Sequence, residues 1–170
     1  ATAYASIIAR AIPEHEVLVN ESGAGHLIRR HGFREMFRSE AALDAETANA
    51  ERLHRLHGVA YRRLTAAELV AAEPALHHAG AGALHWLESW AVTDPGGLVH
   101  AYADRFVQMG GALLQGDATT LEQASGGWRV ATANGAVEAG HAVVALGPWS
   151  PELMRRFGYR YPMVRKRGYH

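Results

Sequence analysis

Apolar positions recur along the chain with two periods, near 3.6 and near 2, and these sort it into helices and strands. Residues 1–24 carry small and aliphatic side chains at helical spacing. The pattern predicts a helix broken at Pro13, a residue suited to a first helical turn, with an exit at Gly23. HLIRRHGFREMF, residues 26–37, sets two short apolar-rich runs on either side of His31-Gly32, which predicts a hairpin. Between Ser39 and Gly58, Leu43, Ala50, Leu53 and Leu56 fall on one broad face. Ser39 suits the N-cap of that helix and Gly58 its left-handed exit. Thr65-Ala66-Ala67-Glu68 has the spacing of a capping box and predicts a short helix ending before Pro74. AGALHWLESWAV, residues 81–92, is aromatic-rich without helical caps and reads as strand.

Asp94-Pro95 opens a second strong helix, with Asp as N-cap and Pro at the first helical position. Leu98, Ala101, Tyr102, Phe106 and Met109 lie along one face of it, and Gly110-Gly111 closes it. ALLQGDATTLEQ, residues 112–123, predicts a strand. GWRVAT and AVEAG then predict a β-meander with turns at Gly126-Gly127 and Asn134-Gly135. HAVVAL, residues 141–146, has no polar residue after His141, which predicts a strand buried on both faces of a covered sheet. A last helix is predicted from Ser150 as cap and Pro151 at the first position, ending near Gly158. The whole is mixed, an α+β order of elements, and its second half reads as part of an α/β dinucleotide-binding sheet.

Hydrophobic residues make up 48% of the 170, enough for a real core. Formal net charge is zero, which argues against a dedicated nucleic-acid binder. There is no cysteine, hence no disulfide framework and no thiolate nucleophile or ligand, a composition that fits a reducing compartment. No apolar run approaches the roughly 20 residues of a membrane span. The first residues have no basic segment before their apolar stretch and do not read as a signal peptide. The chain opens on Ala1, not methionine, and is expected to be processed or to be a piece of something longer.

Candidate chemistry is sparse. In open α/β sheets ligands gather where strands end and helices begin, and ALGPWS is such a junction. Gly147 lets a ligand or another backbone come close, and the amides that follow favour negative charge. The plainer reading is a tight turn with Gly147 chosen for its dihedrals and Trp149 packed as core. Arg155, Arg156, Arg160, Arg165, Lys166 and Arg167 crowd the C-terminal stretch, where they could serve an anion or simply be a solvated face. Tyr159, Tyr161 and Tyr169 lie among them and permit single-stranded nucleic-acid binding, but the rest of the chain offers no matching basic surface. Glu51, His54 and His57 share a helix face at a spacing poorer for metal than an i, i+4 pair, and histidines near a helix C-terminus are favoured by the dipole. His77, His78 and His85 have no carboxylate in a convincing pattern beside them. No metal site is expected.

Three segments taken together carry a resemblance: GALHWLESWAVTDPGGLVHAYADRFVQMGGALLQGDATTLEQ, then GWRVATANGAVEAGHAVVALGPWSPEL, then GYRYPMVRKRGYH. In order and spacing they resemble the FAD-dependent D-amino acid oxidase-like superfamily, in particular its D-amino acid dehydrogenase branch. The resemblance implies an FAD enzyme that oxidatively deaminates amino acids by hydride transfer to the flavin. It implies that Ala118 stands where the family usually carries a valine contacting the adenine side through its backbone. It implies that the turn Ala145, Leu146, Gly147, Pro148 and Trp149 lies beside the cofactor, and that Lys166, Arg167, Gly168 and Tyr169 pass near the flavin ring, where a positive charge would stabilise the reduced anion. No residue of the chain is thereby assigned a catalytic role.

On the same resemblance, residues 1–93 are part of a substrate domain built on a mainly antiparallel sheet. Residues 94–150 are part of the FAD domain, and residues 151–170 return to the substrate side. The family's G-x-G-x-x-G unit is missing and the family continues past KRGYH, so the chain is expected to be an internal fragment, inactive alone. The partners implied are an amino acid substrate, a membrane-associated electron acceptor for the parent, and a second copy meeting unpaired edges of the truncated chain. The implied location is the cytoplasm or the inner face of the membrane. The competing reading is a non-catalytic ligand-binding or scaffolding domain that has lost the flavin site.

Overall fold

Three helix starts of the first unit are set locally. The Ser39 hydroxyl accepts the Ala42 amide at 3.3 Å and starts helix α2, Glu40–His57, which Gly58 ends at φ 71°. Thr65 and Glu68 form the reciprocal capping box that starts α3, Ala66–Ala72. The Asp94 carboxylate accepts the Gly97 amide at 2.9 Å with Pro95 in the first turn, starting α4, Pro95–Gln108. The computed structural model describes residues 2–166, and the chain divides after Gly111 into two units, each with its own packing.

The first unit opens with α1, Thr2–Glu21, followed by the short strand β1, Ile28–Arg29, and by β2, Phe33–Phe37. After α2 come β3, Tyr61–Thr65, then α3, β4, Gly82–Trp86, β5, Ala91–Val92, and α4. Its main sheet is antiparallel in the order β2-β4-β3, so Leu84 faces Glu35 on one side and Arg63 on the other. Alternation along β4 sends Leu84 to one face and Ala83 to the other. Leu84 packs with Leu43 and Ala50 of α2, while Ala83 packs with Leu64, Leu69 and Ala79 beneath α3. Burial of these side chains is the main stabilising term, at roughly 25 cal/mol per Å² of apolar surface. Arg34 crosses from β2 to Glu73 at 2.6 Å, and Arg62 from β3 to Glu68 at 2.6 Å, which ties α3 to both sheet edges.

The second unit is a three-stranded meander, β6 Glu122–Ala124, β7 Gly127–Thr132 and β8 Gly135–Ala139, antiparallel in that order. It is followed by helical turns at Gly147–Trp149, by α5, Ser150–Met154, and by Arg155–Phe157, closed by Gly158 at φ 83°. Antiparallel sheet and helices thus make up a mixed α and β architecture. No helix among the described residues is long and apolar enough to cross a membrane.

Several expectations need correction. The first helix is not broken at Pro13; it runs through to Glu21. Proline there removes one ladder bond, at about 3 kcal/mol in a helix interior, but the turns beyond it are held against α4. Val19 is fully buried, His15 bonds Tyr102 at 3.0 Å and Glu21 pairs with Arg105 at 3.2 Å. Residues 26–37 are not a hairpin: β1 pairs with β5 and β2 pairs with β4. Gly32, at φ 76° and pressed against the Trp86 carbonyl, is a corner that sends the two runs into different sheets. The face of α2 narrows before its end, leaving Leu56 63% exposed.

In the second unit, residues 112–123 do not form one strand. Gly116 makes a single bridge to Thr132, and the chain then turns at Ala118–Thr120 because the Asp117 carboxylate captures the Thr119 amide. Residues 141–146 join no ladder, Leu146 already turns at φ −84° and ψ 11°, and Val143 is 91% exposed rather than buried. A strand is defined by its ladder, and among the described residues no neighbour offers one to this run. Ser150 is not a cap: its φ and ψ, −51° and −42°, place it inside the helix, because turning has already begun at Gly147.

Candidate functional site

The second unit builds a recess from the turn at residues 117–120, the face of β7 and the run 141–148. Asp117 folds the turn: its carboxylate accepts the Thr119 amide at 2.8 Å and the Thr119 hydroxyl at 2.7 Å. The Thr120 hydroxyl donates to the Asp117 carbonyl at 2.7 Å and accepts the Ala131 amide at 2.9 Å, which pins the turn to β7. Arg156 reaches back from the last helical turn to donate to the Thr119 carbonyl. The Thr119 hydroxyl and amide, and then the nearby Arg156 charge, hold the Asp117 carboxyl below the usual carboxylate range.

Ala118 is thereby set into the wall of a cleft of about 220 Å³ that Ala145 and Leu146 also line, with Val130 and Leu153 behind them. A second, more open cleft of about 610 Å³ is lined by Ala145, Gly147, Pro148 and Lys166, together with Met163 and Arg165. Ala145 and Val144 belong to both. Gly147 sits at φ 54°, in the left-handed region, and a Cβ built on it would meet nothing within 4 Å. Its glycine is therefore required by backbone conformation, and its face toward the cleft is open. Arg165 binds the turn from outside, donating to the Pro148 carbonyl at 3.2 Å and pairing with Glu152 at 3.6 Å.

Six of the ten residues singled out in the sequence therefore line these two clefts: Ala118, Ala145, Leu146, Gly147, Pro148 and Lys166. Trp149 does not join them. It is 61% exposed, and so is not the core residue that the plainer reading of the turn required. Arg167, Gly168 and Tyr169 lie outside the described residues. A third groove, of about 950 Å³, opens on the other flank of residues 142–144 and is lined by Trp128, Met154, Phe157, Tyr159, Tyr161 and Met163. Phe157 meets the Trp128 ring edge-on at 5.2 Å, and Tyr159 stacks on Tyr161 at 6.3 Å. The period-two spacing of Phe157, Tyr159, Tyr161 and Met163 was the sequence signal for this wall, hidden among the arginines.

The first unit offers less. His54 turns to the Val59 carbonyl at 3.1 Å, and its ring meets Tyr61 edge-on, which accounts for it without a metal. No group of three or more His, Asp, Glu or Cys placed to hold a metal ion occurs among the described residues. Burial pushes the Tyr102 phenol up from its ordinary value.

The chain belongs to the FAD dependent oxidoreductase (DAO) family, whose model matches residues 1–170. It is 34% identical over 158 residues to the D-amino-acid oxidase of Bradyrhizobium diazoefficiens, covering 92% of this chain and 37% of that protein. It is 30% identical over 164 residues to the D-amino acid dehydrogenase of Chromohalobacter salexigens, covering 91% of this chain and 38% of that protein. Among solved structures it superimposes on glycine oxidase from Geobacillus kaustophilus with a TM-score of 0.70 and 25% identity, covering 88% of this chain and 40% of that one. The chain thus spans little more than a third of the length of the curated relatives it matches.

The residues present fit part of the family's cofactor. The small Ala145, the open backbone at Gly147 and the cations Arg165 and Lys166 in the 610 Å³ cleft suit a flat, electron-accepting ring system, and the small Ala118 lines the 220 Å³ cleft that shares Ala145 with it. No glycine-rich phosphate loop at a strand–helix junction occurs among the described residues, so a cradle for a diphosphate is not built here.

Proposed function

We propose that this chain is part of an FAD-dependent enzyme that oxidatively deaminates amino acids in the manner of a D-amino acid dehydrogenase. One observation carries the reading: Ala145, Gly147, Pro148 and Lys166 line a single cleft, with Gly147 left-handed and open. Residues 1–93 would belong to the substrate domain, 94–150 to the FAD domain, and 151–170 to the return.

In this reading Ala118, Ala145, Leu146, Gly147, Pro148 and Lys166 hold FAD, which when bound supplies the two-electron acceptor for amine oxidation. Gly147 and Pro148 present backbone without side-chain obstruction. Ala145 and Leu146 exclude water from one side of the ring system, and Ala118 stands on the adenine side. Lys166, which lines the cleft, favours negative charge there. Arg165 positions the turn through the Pro148 carbonyl.

An amino acid is the substrate class in this reading, and an acceptor at the inner face of the membrane would take up the electrons of a cytoplasmic or peripheral enzyme. The 170-residue chain by itself would associate with its own copies through exposed apolar residues such as Val143 and Val164.

The test is purification of the intact protein, followed by absorbance spectra and D-amino acid-dependent reduction of an artificial electron acceptor. Flavin bands near equimolar with protein and D-amino acid-dependent reduction support the reading. A colourless protein that gains no flavin bands on FAD titration points to the non-catalytic binding or scaffolding alternative.

A further inference from the structure

Ala118 reaches the cleft only because the turn that carries it is fastened twice. From inside, the Asp117 carboxylate takes both the amide and the hydroxyl of Thr119, at 2.8 and 2.7 Å. From outside, the Arg156 guanidinium donates to the Thr119 carbonyl. Arg156 is itself fixed by its neighbours: Leu153 is 6% exposed, and Phe157 is locked edge-on against Trp128 at 5.2 Å. Thr119 thus has its amide and hydroxyl on one charged group and its carbonyl on another. Neither Asp117 nor Arg156 lines the 220 Å³ cleft, whereas Ala118, between Asp117 and Thr119, does.

We propose that Asp117 and Arg156 are positioning residues that clamp the 117–120 turn from its two sides and so set the gap between Ala118 and the Ala145–Leu146 wall where FAD binds. This rests on the flavoprotein reading above. The charges act on cleft width, not on the cofactor directly. Hydrogen bonds to charged groups are stronger than neutral ones, so losing either clamp lets the turn relax. A relaxed turn admits water beside Ala118 and loosens the grip on the part of FAD that the cleft holds.

The experiment titrates FAD into the intact apoprotein and follows flavin fluorescence, and in parallel titrates ADP, which probes the adenine side alone and independently of turnover. Arg156→Ala, which loses one charge-assisted bond, weakens FAD binding about tenfold; Asp117→Ala, which loses two, weakens it at least as much, and both weaken ADP binding alongside. Arg156→Lys, which keeps a cationic donor, restores most of the affinity, and Asp117→Asn, which keeps an acceptor without charge, falls between. Arg129 lines a groove with Thr120 and Arg156, but Arg129→Ala, which breaks the Arg129–Glu138 pair on the same meander, removes neither of the two fastenings of the turn, and leaves affinity unchanged. Wild-type affinity in both alanine variants, or an equal loss in Arg129→Ala, overturns the proposal. Wild-type protein that takes up no FAD at all overturns the flavoprotein reading itself, and the positioning role goes with it.

Discussion

Thr65 and Glu68 hold each other across the first turn of α3. The Glu68 carboxylate accepts the Thr65 amide at 2.8 Å and the Thr65 hydroxyl at 2.9 Å, while the Glu68 amide reaches the same hydroxyl at 3.2 Å. The Thr65 amide first, then Arg62, then the Thr65 hydroxyl lower the Glu68 pKa to about 2 from an ordinary 4.5. A depressed carboxylate stabilises the fold above its unfolded pKa and loses that contribution as pH falls through its folded pKa. The stability difference between wild type and Glu68→Gln is therefore constant above about pH 4.5 and shrinks toward zero by about pH 2. Thermal melts of both proteins across that window check it; a difference independent of pH there would rule out the charge as its source.

The core of the first unit predicts a larger effect. Leu84 is fully buried between α2 and the sheet, in contact with Leu43 and Ala50. Leu84→Ala leaves a cavity that close-packed neighbours fill only in part, and costs about 2–5 kcal/mol. Leu56→Ala, on α2 but 63% exposed, costs less than about 1 kcal/mol. Urea denaturation of the two variants gives both values.

Gly147 and Gly158 separate strain from function. Both lie at positive φ, 54° and 83°, and a Cβ at either would meet nothing within 4 Å. Alanine at either position costs about 1 kcal/mol of backbone strain. Only Gly147 lines the cleft with Lys166, so only Gly147→Ala weakens FAD binding beyond that common loss. Melting temperatures and FAD titrations of the two variants make the comparison; equal FAD affinities would detach the cleft from the cofactor.

Legibility in the sequence followed the range of the interactions. Ser39, Thr65 and Asp94 were readable because a cap is decided within four residues, by a side-chain oxygen and an amide. The meander was readable because Gly126 and Gly135 permit tight reversals between alternating runs. His31-Gly32 misled because a positive-φ glycine serves a corner as well as a hairpin, and the partners of its flanking strands lie more than fifty residues away, at Trp86 and Val92. The Ala118–Thr120 turn was hidden for the same reason: Asp117 competes with the strand ladder locally, while Arg156 arrives from 37 residues on. The grouping of Ala118 with Ala145 and Leu146 came from resemblance alone, since neither spacing nor periodicity places a turn beside a distant run.

Val143 tests the remaining tension between pattern and structure. Its run, residues 142–146, is wholly apolar, yet Val143 is 91% exposed and Val164 79%. An apolar, uncharged segment whose backbone joins no ladder is a template for pairing with another chain. The 170-residue chain accordingly elutes in size-exclusion chromatography as species that grow with protein concentration. Val143→Lys places a charge where the side chain already faces water, so it changes the unfolding free energy by less than about 0.5 kcal/mol while moving elution toward the monomer. A wild-type chain monomeric at every concentration, or a variant that associates just as strongly, would locate the association elsewhere or remove it.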